Sequence, residues 1–373
     1  MNLSAGETLL HIGTPKSGTT SIQAILGAKW RYQNLPGVLR YTTFNADHQL
    51  ARELDIQGST ATIEAVTKLK SEKGDEFVSL ITSERFSRFD IDAVARTKEL
   101  IGANTRVVIS MRSFESYFPS MWQQTIKRGA TISLDDWLRA YFDGIPHPGM
   151  RVFHEDDGFN LVTRWAEIFG PENLSVVVTS KKKPELIADA FGKFLSLALS
   201  TSELNDSSNV IKNRSLSNLE IFVLRKINQR YQSGNFSQVE YDEVILNATR
   251  ALQNARSLGA DESVPRSPEW AQGPISELAS KYAQTINRLN IQVIGEISEL
   301  ASTSTPETPP AATPPAATST EIETALDEIQ NFYDREIEVR SAKFSQERSQ
   351  RQSSGAKTPP WRRLIKSLIQ KIK

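Results

Sequence analysis

The chain of 373 residues predicts an α/β fold, a central parallel sheet in three α/β/α layers, and three observations carry that prediction. Short apolar, largely β-branched runs at Thr8–Leu10, Phe77–Ile81, Arg106–Ser110 and Ser175–Thr179 read as buried parallel strands. Helical patterns alternate with them through about the first 180 residues, which calls for helices on both faces of the sheet. Beyond that point the pattern turns predominantly helical, over 216–231, 241–257 and 274–299. A hydrophobic content of 39% supports a substantial core over residues 1–300, followed by an extension with a different composition.

The first strand leads into His11-Ile-Gly-Thr-Pro-Lys-Ser-Gly-Thr-Thr20, and a helical pattern with Ile22, Ile25 and Leu26 on one face follows. A strand, a glycine-bearing turn and a helix start point backbone N–H groups and the positive end of a helix dipole at one spot, which suits a phosphate. Gly13 and Gly18 have Walker A spacing, but the Walker lysine position holds Thr19, and the lysine stands three residues earlier as Lys16. Lys16 follows Pro15, whose ring stiffens the approach, and Ser17, Thr19 and Thr20 add hydroxyls and backbone donors. A lysine in the turn itself suits the atom bridging a 5′-phosphate and its leaving group.

A second segment follows the strand at 106–110. Met111-Arg112-Ser113-Phe114-Glu115-Ser116-Tyr117-Phe118-Pro119-Ser120 puts an arginine at a strand end and a serine eight residues on. A guanidinium offers a fork of donors to phosphate oxygens. The two segments together resemble the sulfotransferase family, in its bacterial carbohydrate-sulfotransferase-like branch. There a P-K-[ST]-G-T-[ST] loop cradles the 5′-phosphosulfate of 3′-phosphoadenosine 5′-phosphosulfate (PAPS), and the arginine and serine bind the 3′-phosphate. The resemblance spans roughly 7–295, with its specific motifs in the first 125 residues. It implies a P-loop-NTPase-like fold, PAPS as donor without a metal, and a donor site of Pro15, Lys16, Ser17, Gly18, Thr19, Thr20, Arg112 and Ser120. Lys16 would also act catalytically. The family's adenosine-covering segment is not recognisable; Lys212, Asn213 and Arg214 stand nearest to it, with Ser215 or Ser217 as the cap of the next helix.

Sulfuryl transfer also needs a base for the acceptor's proton. Glu84 follows a strand at the carboxyl end, where open α/β sheets bind ligands. It either serves as base, as glutamate often does in glycan sulfotransferases, or pairs with Arg85 or Arg88. His48 is the other candidate, as base, substrate contact or helix cap. His147 and His154 lie in a loop rich in glycine, proline and acids that reads as an acceptor-side wall. Their spacing supports no tetrahedral metal site, and the chain has no cysteine. Trp122, Trp137 and Tyr141 are candidates for stacking on sugars or for the core. The acceptor implied by the family is a hydroxyl or amine of a saccharide or cell-surface glycan precursor. A P-loop kinase using ATP and magnesium, and a non-catalytic nucleotide-binding scaffold, are the competing readings.

The formal net charge is zero, and no nucleic-acid partner is expected. Residues 301–320, with repeated Thr-Pro-Pro-Ala-Ala-Thr, read as a flexible linker. Residues 321–350 carry eight acids against four bases and read as a mixed-charge, solvated helix with Ile322, Leu326, Ile329 and Tyr333 as its stripe. Residues 351–373 have seven bases and no acids, and Trp361, Leu364, Ile365, Leu368, Ile369 and Ile372 recur at helical spacing. That pattern predicts a basic amphipathic helix, 357–373, docking on a membrane surface or a protein partner. With neither a signal peptide nor a membrane-spanning run, and with PAPS made in the cytoplasm, the expected location is cytoplasmic, peripheral to the inner face of the membrane.

Overall fold

The computed structural model describes residues 2–33, 38–40, 44–56, 60–145, 151–155, 158–180, 182–199, 214–234, 237–258, 262–301 and 319–353. They form two compact units: Met1–Thr125, Ile132–Val210 and Pro265–Thr313 make the first, and Ile126–Thr131, Ile211–Val264 and Pro314–Lys373 make the second.

The first unit is α/β. Its strands are β1 (Thr8–Gly13), β2 (Val38–Arg40), β3 (Val78–Thr82), β4 (Thr105–Arg112), β5 (Leu174–Thr179) and β6 (Gln292–Ile294). They form one sheet in the order β2-β3-β1-β4-β5-β6, and every neighbouring pair is parallel. The helices are α1 (Thr19–Gln33), α2 (Phe44–Ile56), α3 (Ala61–Lys73), α4 (Ile91–Ile101), α5 (Phe114–Lys127), α6 (Leu134–Phe142), α7 (Leu161–Phe169) and α8 (Leu186–Leu195). All six residues of β1 and all five of β3 are buried, which explains their lack of a polar/apolar alternation. Leu9, Leu80, Val108 and Val177 from four strands meet Ile22, Ile25 and Leu26 of α1 and Ile187 and Phe191 of α8 in one apolar cluster. Helix α7 packs on β4 and β5 and against α4, with Trp165 stacked on Phe89 and Phe169. Asn160 starts α7 with a reciprocal capping box through Thr163, as the turn before an apolar helix requires.

After α8 the chain supplies α9 (Asn218–Gln232), α10 (Gln238–Tyr241), a π-helical turn at Asp242–Leu246 and α11 (Asn247–Ala255) to the second unit. Ser217 caps α9 in a capping box with Glu220, one of the two cap candidates in the sequence. Helix α12 (Glu269–Arg288) returns to the first unit. It ends eleven residues before the expected limit at 299, because Asn290 turns left-handed at φ 51° and the next residues join the sheet as β6, beside β5. Helix α13 (Ser319–Ser353) belongs to the second unit. It is not merely solvated: Ile329 and Tyr333 are fully buried, and the Tyr333 hydroxyl donates to Thr249 Oγ1 at 3.1 Å. Most of the linker (302–318) and the end of the basic tail (354–373) lie outside the described residues.

Among the described residues no helix is long and apolar enough to cross a membrane.

Candidate functional site

The carboxyl ends of three adjacent strands, β3, β1 and β4, carry the three segments singled out in the sequence. The chain leaves β1 toward the β2 edge and leaves β4 toward β5 and β6. Connections diverging from neighbouring strands open a crevice at their carboxyl ends, the usual ligand position in such sheets.

The loop after β1 is fastened to β4. Thr14 donates twice to the carbonyl of Ser110, from its N–H at 2.9 Å and from Oγ1 at 3.0 Å. The Ser17 N–H closes a four-residue turn on the Thr14 carbonyl at 3.1 Å. Pro15 takes the second place of this turn and Lys16 the third, with φ +69°. Proline followed by a residue of positive φ is the mark of a type II turn, whose third place normally falls to glycine. Lys16 therefore holds a conformation costing about 1–2 kcal/mol for a residue with a β-carbon. Gly13 is required for a different reason: a β-carbon there would lie 1.7 Å from Thr19 Oγ1. The hydroxyl of Thr19 is buried against that glycine at the start of α1 and has no hydrogen-bond partner among the described residues. A hydroxyl without a described partner, beside first-turn N–H groups that no helical carbonyl serves, suits an anion. Gly18 precedes the helix at φ +93°, and Thr20 is exposed.

Ser17 departs from its expected role. Its side chain is 1% exposed and donates inward to the Thr14 carbonyl at 2.7 Å. Both of its donors close the turn, so neither faces a ligand.

Arg112 stands at the end of β4. Its NH1 donates to the Lys16 carbonyl at 3.1 Å and its Nε to Ser116 Oγ at 2.8 Å. NH2 has no hydrogen-bond partner among the described residues. Ser120 lies one turn beyond Ser116 on α5, on the same helix face, and is half-buried. Burial draws the Arg112 guanidinium below its ordinary pKa. Lys16 is lowered to about 8, chiefly by burial and then by the Arg112 charge, with the Glu84 charge opposing both.

Glu84 opens the 3-10 turn Glu84–Arg88 after β3, and Ser83 caps that turn by accepting from the Arg85 N–H at 3.2 Å. Among the described residues the ion-pair partner of Glu84 is neither Arg85 nor Arg88 but His48: Nε2 lies 3.5 Å from Glu84 Oε2, both side chains about one-third exposed. The other ring nitrogen, Nδ1, is 2.5 Å from Ser83 Oγ. Ser83 is fully buried and has no other acceptor for its proton among the described residues, so it donates to Nδ1. In the singly protonated ring the remaining proton then sits on Nε2, facing the carboxylate. Asp47, the preceding residue of α2, accepts from the Thr82 N–H at 3.2 Å. Two consecutive residues of α2 thus hold the end of β3.

Other candidates lie elsewhere. Trp122, Trp137 and Tyr141 are 5%, 1% and 6% exposed, too buried for a sugar platform, and Trp137 and Tyr141 pack on Phe118 in an aromatic core. His154 lies against Tyr141, and His147 is outside the described residues. Arg214 is in the second unit, engaged with the buried carboxylate of Glu220 at 2.6 and 2.8 Å. That pairing gives it a structural role in place of adenosine coverage; Lys212 and Asn213 are outside the described residues. The sequence reading missed Ser110, Ser116, Ser83 and His11. Ser110 carried a signal, since a serine ending an otherwise apolar buried strand must find partners.

Comparison of this chain with family models, with curated proteins and with solved structures found no match.

Proposed function

We propose that the chain is a PAPS-dependent sulfotransferase with a P-loop-like fold. The carrying observation is that the Lys16 turn, Arg112 and the Glu84–His48 pair sit on three neighbouring strand ends, with an orphaned Thr19 hydroxyl at the helix start between them. Thr19 and the first N–H groups of α1 would hold the 5′-phosphate, and Arg112 NH2 with Ser120 the 3′-phosphate. An acceptor hydroxyl (or amine) attacks sulfur in line. Its O–S bond forms as the bond from sulfur to the bridging phosphate oxygen breaks, and Lys16 stabilises the charge left on that oxygen.

Glu84 takes the acceptor's proton. His48 holds its Nε2 proton toward Glu84 and is bound at Nδ1 by Ser83, so it orients the carboxylate and is not itself the base. The Walker lysine position is Thr19, whose side chain packs on Gly13 and brings no charge to a γ-phosphate. That favours sulfuryl transfer over phosphoryl transfer.

The acceptor class, a glycan precursor, comes from the sequence resemblance, as does a cytoplasmic location with the basic tail 357–373 docked on the membrane surface. Calorimetry with PAP, ATP and GTP in the absence of magnesium tests the donor: micromolar or tighter PAP binding with weak binding of the others is expected, and ATP preference would overturn it. Transfer of radiolabelled sulfate from PAPS to host glycans tests the activity. An unchanged membrane fraction after deletion of 357–373 would remove the tail's role.

A further inference from the structure

Under the loop runs a row of hydrogen bonds that the proposed reaction does not use. His11 is fully buried on β1, its ring edge-on to Phe191. Nδ1 lies 2.8 Å from Thr82 Oγ1 on β3, and Nε2 lies 2.9 Å from Ser110 Oγ on β4. Ser110 Oγ is 2.7 Å from Ser17 Oγ, which reaches the Thr14 carbonyl at 2.7 Å. The row crosses three strands and ends in the turn that carries Lys16.

Its directions follow from counting protons. The Thr14 carbonyl only accepts, so Ser17 spends its proton there. Ser110 must then donate to Ser17, which leaves the Ser110 oxygen to accept from His11. Nε2 therefore carries hydrogen. Burial without a counter-charge keeps the ring neutral, its pKa lowered to about 3, so Nδ1 is a lone pair that accepts from Thr82. One assignment uses every proton once: Thr82 to His11 to Ser110 to Ser17 to Thr14.

We propose that His11, as the neutral Nε2–H tautomer, is a positioning residue that fixes the Ser17 hydroxyl on the Thr14 carbonyl and so holds Lys16 in its left-handed place without touching the donor. An Nδ1–H tautomer would offer Ser110 no proton, Ser110 would turn its own proton back to the ring, and the bond to Ser17 would be lost. The consequence for turnover rests on the sulfuryl-transfer reading; the consequence for the loop does not.

Nitrogen-15 NMR of the full chain, with the His11 signals identified by their loss in His11→Gln, tests the tautomer. A protonated Nε2 and bare Nδ1, constant from pH 5 to 8, are expected; an Nδ1–H ring, or one that titrates in that range, overturns the proposal. Hydrogen exchange at the amides of residues 14–19 tests the hold on the loop: His11→Leu is expected to speed it about tenfold, while unchanged exchange overturns the proposal whatever the enzyme does. In turnover, His11→Leu is expected to lower kcat about 100-fold with little change in KM for PAPS. His11→Gln, which keeps a donor near the Nε2 position, is expected to restore most of the rate. Wild-type kcat in folded His11→Leu overturns the proposal. Should that variant not fold, Ser110→Ala cuts the link between His11 and Ser17, and a wild-type loop exchange rate in it overturns the relay. A wild-type chain that neither binds PAP nor transfers sulfate defeats the reaction instead, and the exchange data still decide the relay.

Discussion

Arg112 NH1 donates to the backbone carbonyl of Lys16 at 3.1 Å, across 96 positions of sequence. On the proposed reading, recognition of the 3′-phosphate and placement of Lys16 share one guanidinium.

Arg112→Lys should accordingly do more damage than the loss of a fork. An ammonium cannot serve the Lys16 carbonyl, Ser116 and a phosphate from the same positions. Loss of charge-assisted bonds worth about 1.5–3 kcal/mol each predicts a fall in kcat/KM for PAPS of about 100-fold or more. Steady-state rates check this, and the share of the loss carried by kcat reports how far Lys16 has moved.

Glu84→Gln should lower kcat by about 10² to 10⁴-fold with PAP affinity retained, as expected for a lost general base. His48→Gln should cost less, since the carboxylate survives and only its orientation suffers. Equal losses in the two variants, or a larger one at His48, would reverse the roles assigned to them. Above pH 8 the rate should fall as Lys16 loses its proton, and initial rates across pH 6–10 show the limb directly.

Folding stability should weaken in mild acid through His11. Its folded pKa lies near 3 and its ordinary value is 6.5, so between those limits the unfolded chain binds the extra proton. Stability is full above pH 6.5 and is lost progressively as pH falls toward 3. At pH 5 the deficit is about 2 kcal/mol. Urea unfolding at pH 7 and pH 5 measures it, and His11→Gln should show a pH dependence smaller by that amount.

Gly13→Ala drives a β-carbon to within 1.7 Å of Thr19 Oγ1. The start of α1 has to shift, and overpacking of this kind costs about 1–3 kcal/mol. Thermal unfolding should record that loss, together with weaker PAP binding by calorimetry. Unaltered binding would argue that the orphaned Thr19 hydroxyl is not a donor contact.

The sequence made the parallel strands legible because buried parallel strands are continuous apolar runs, as in β1 and β3. The edge strand β6 escaped notice: three residues, Gln292–Ile294, continue the apolar spacing of α12, and the left-handed Asn290 that separates them has no periodic signature. For the site, Lys16, Arg112 and Glu84 were readable as residue types at strand ends and His48 as a candidate base, but the place of His48 within α2 was not. The inward turn of Ser17 was not, since it depends on Ser110, 93 positions away. Whether Glu84 pairs with its neighbour Arg85 or with distant His48 is likewise decided by where α2 docks, a matter of tertiary packing.

Ser110 has a consequence for anyone wishing to move this loop. Its carbonyl holds Thr14 twice and its hydroxyl lies against both Ser17 and His11. The shape of residues 11–20 is thus written partly in another strand. Grafted alone onto a foreign scaffold, the ten residues would arrive without their template; the smallest transplantable piece is the β1–β4 pair with Ser110 and Arg112 in register.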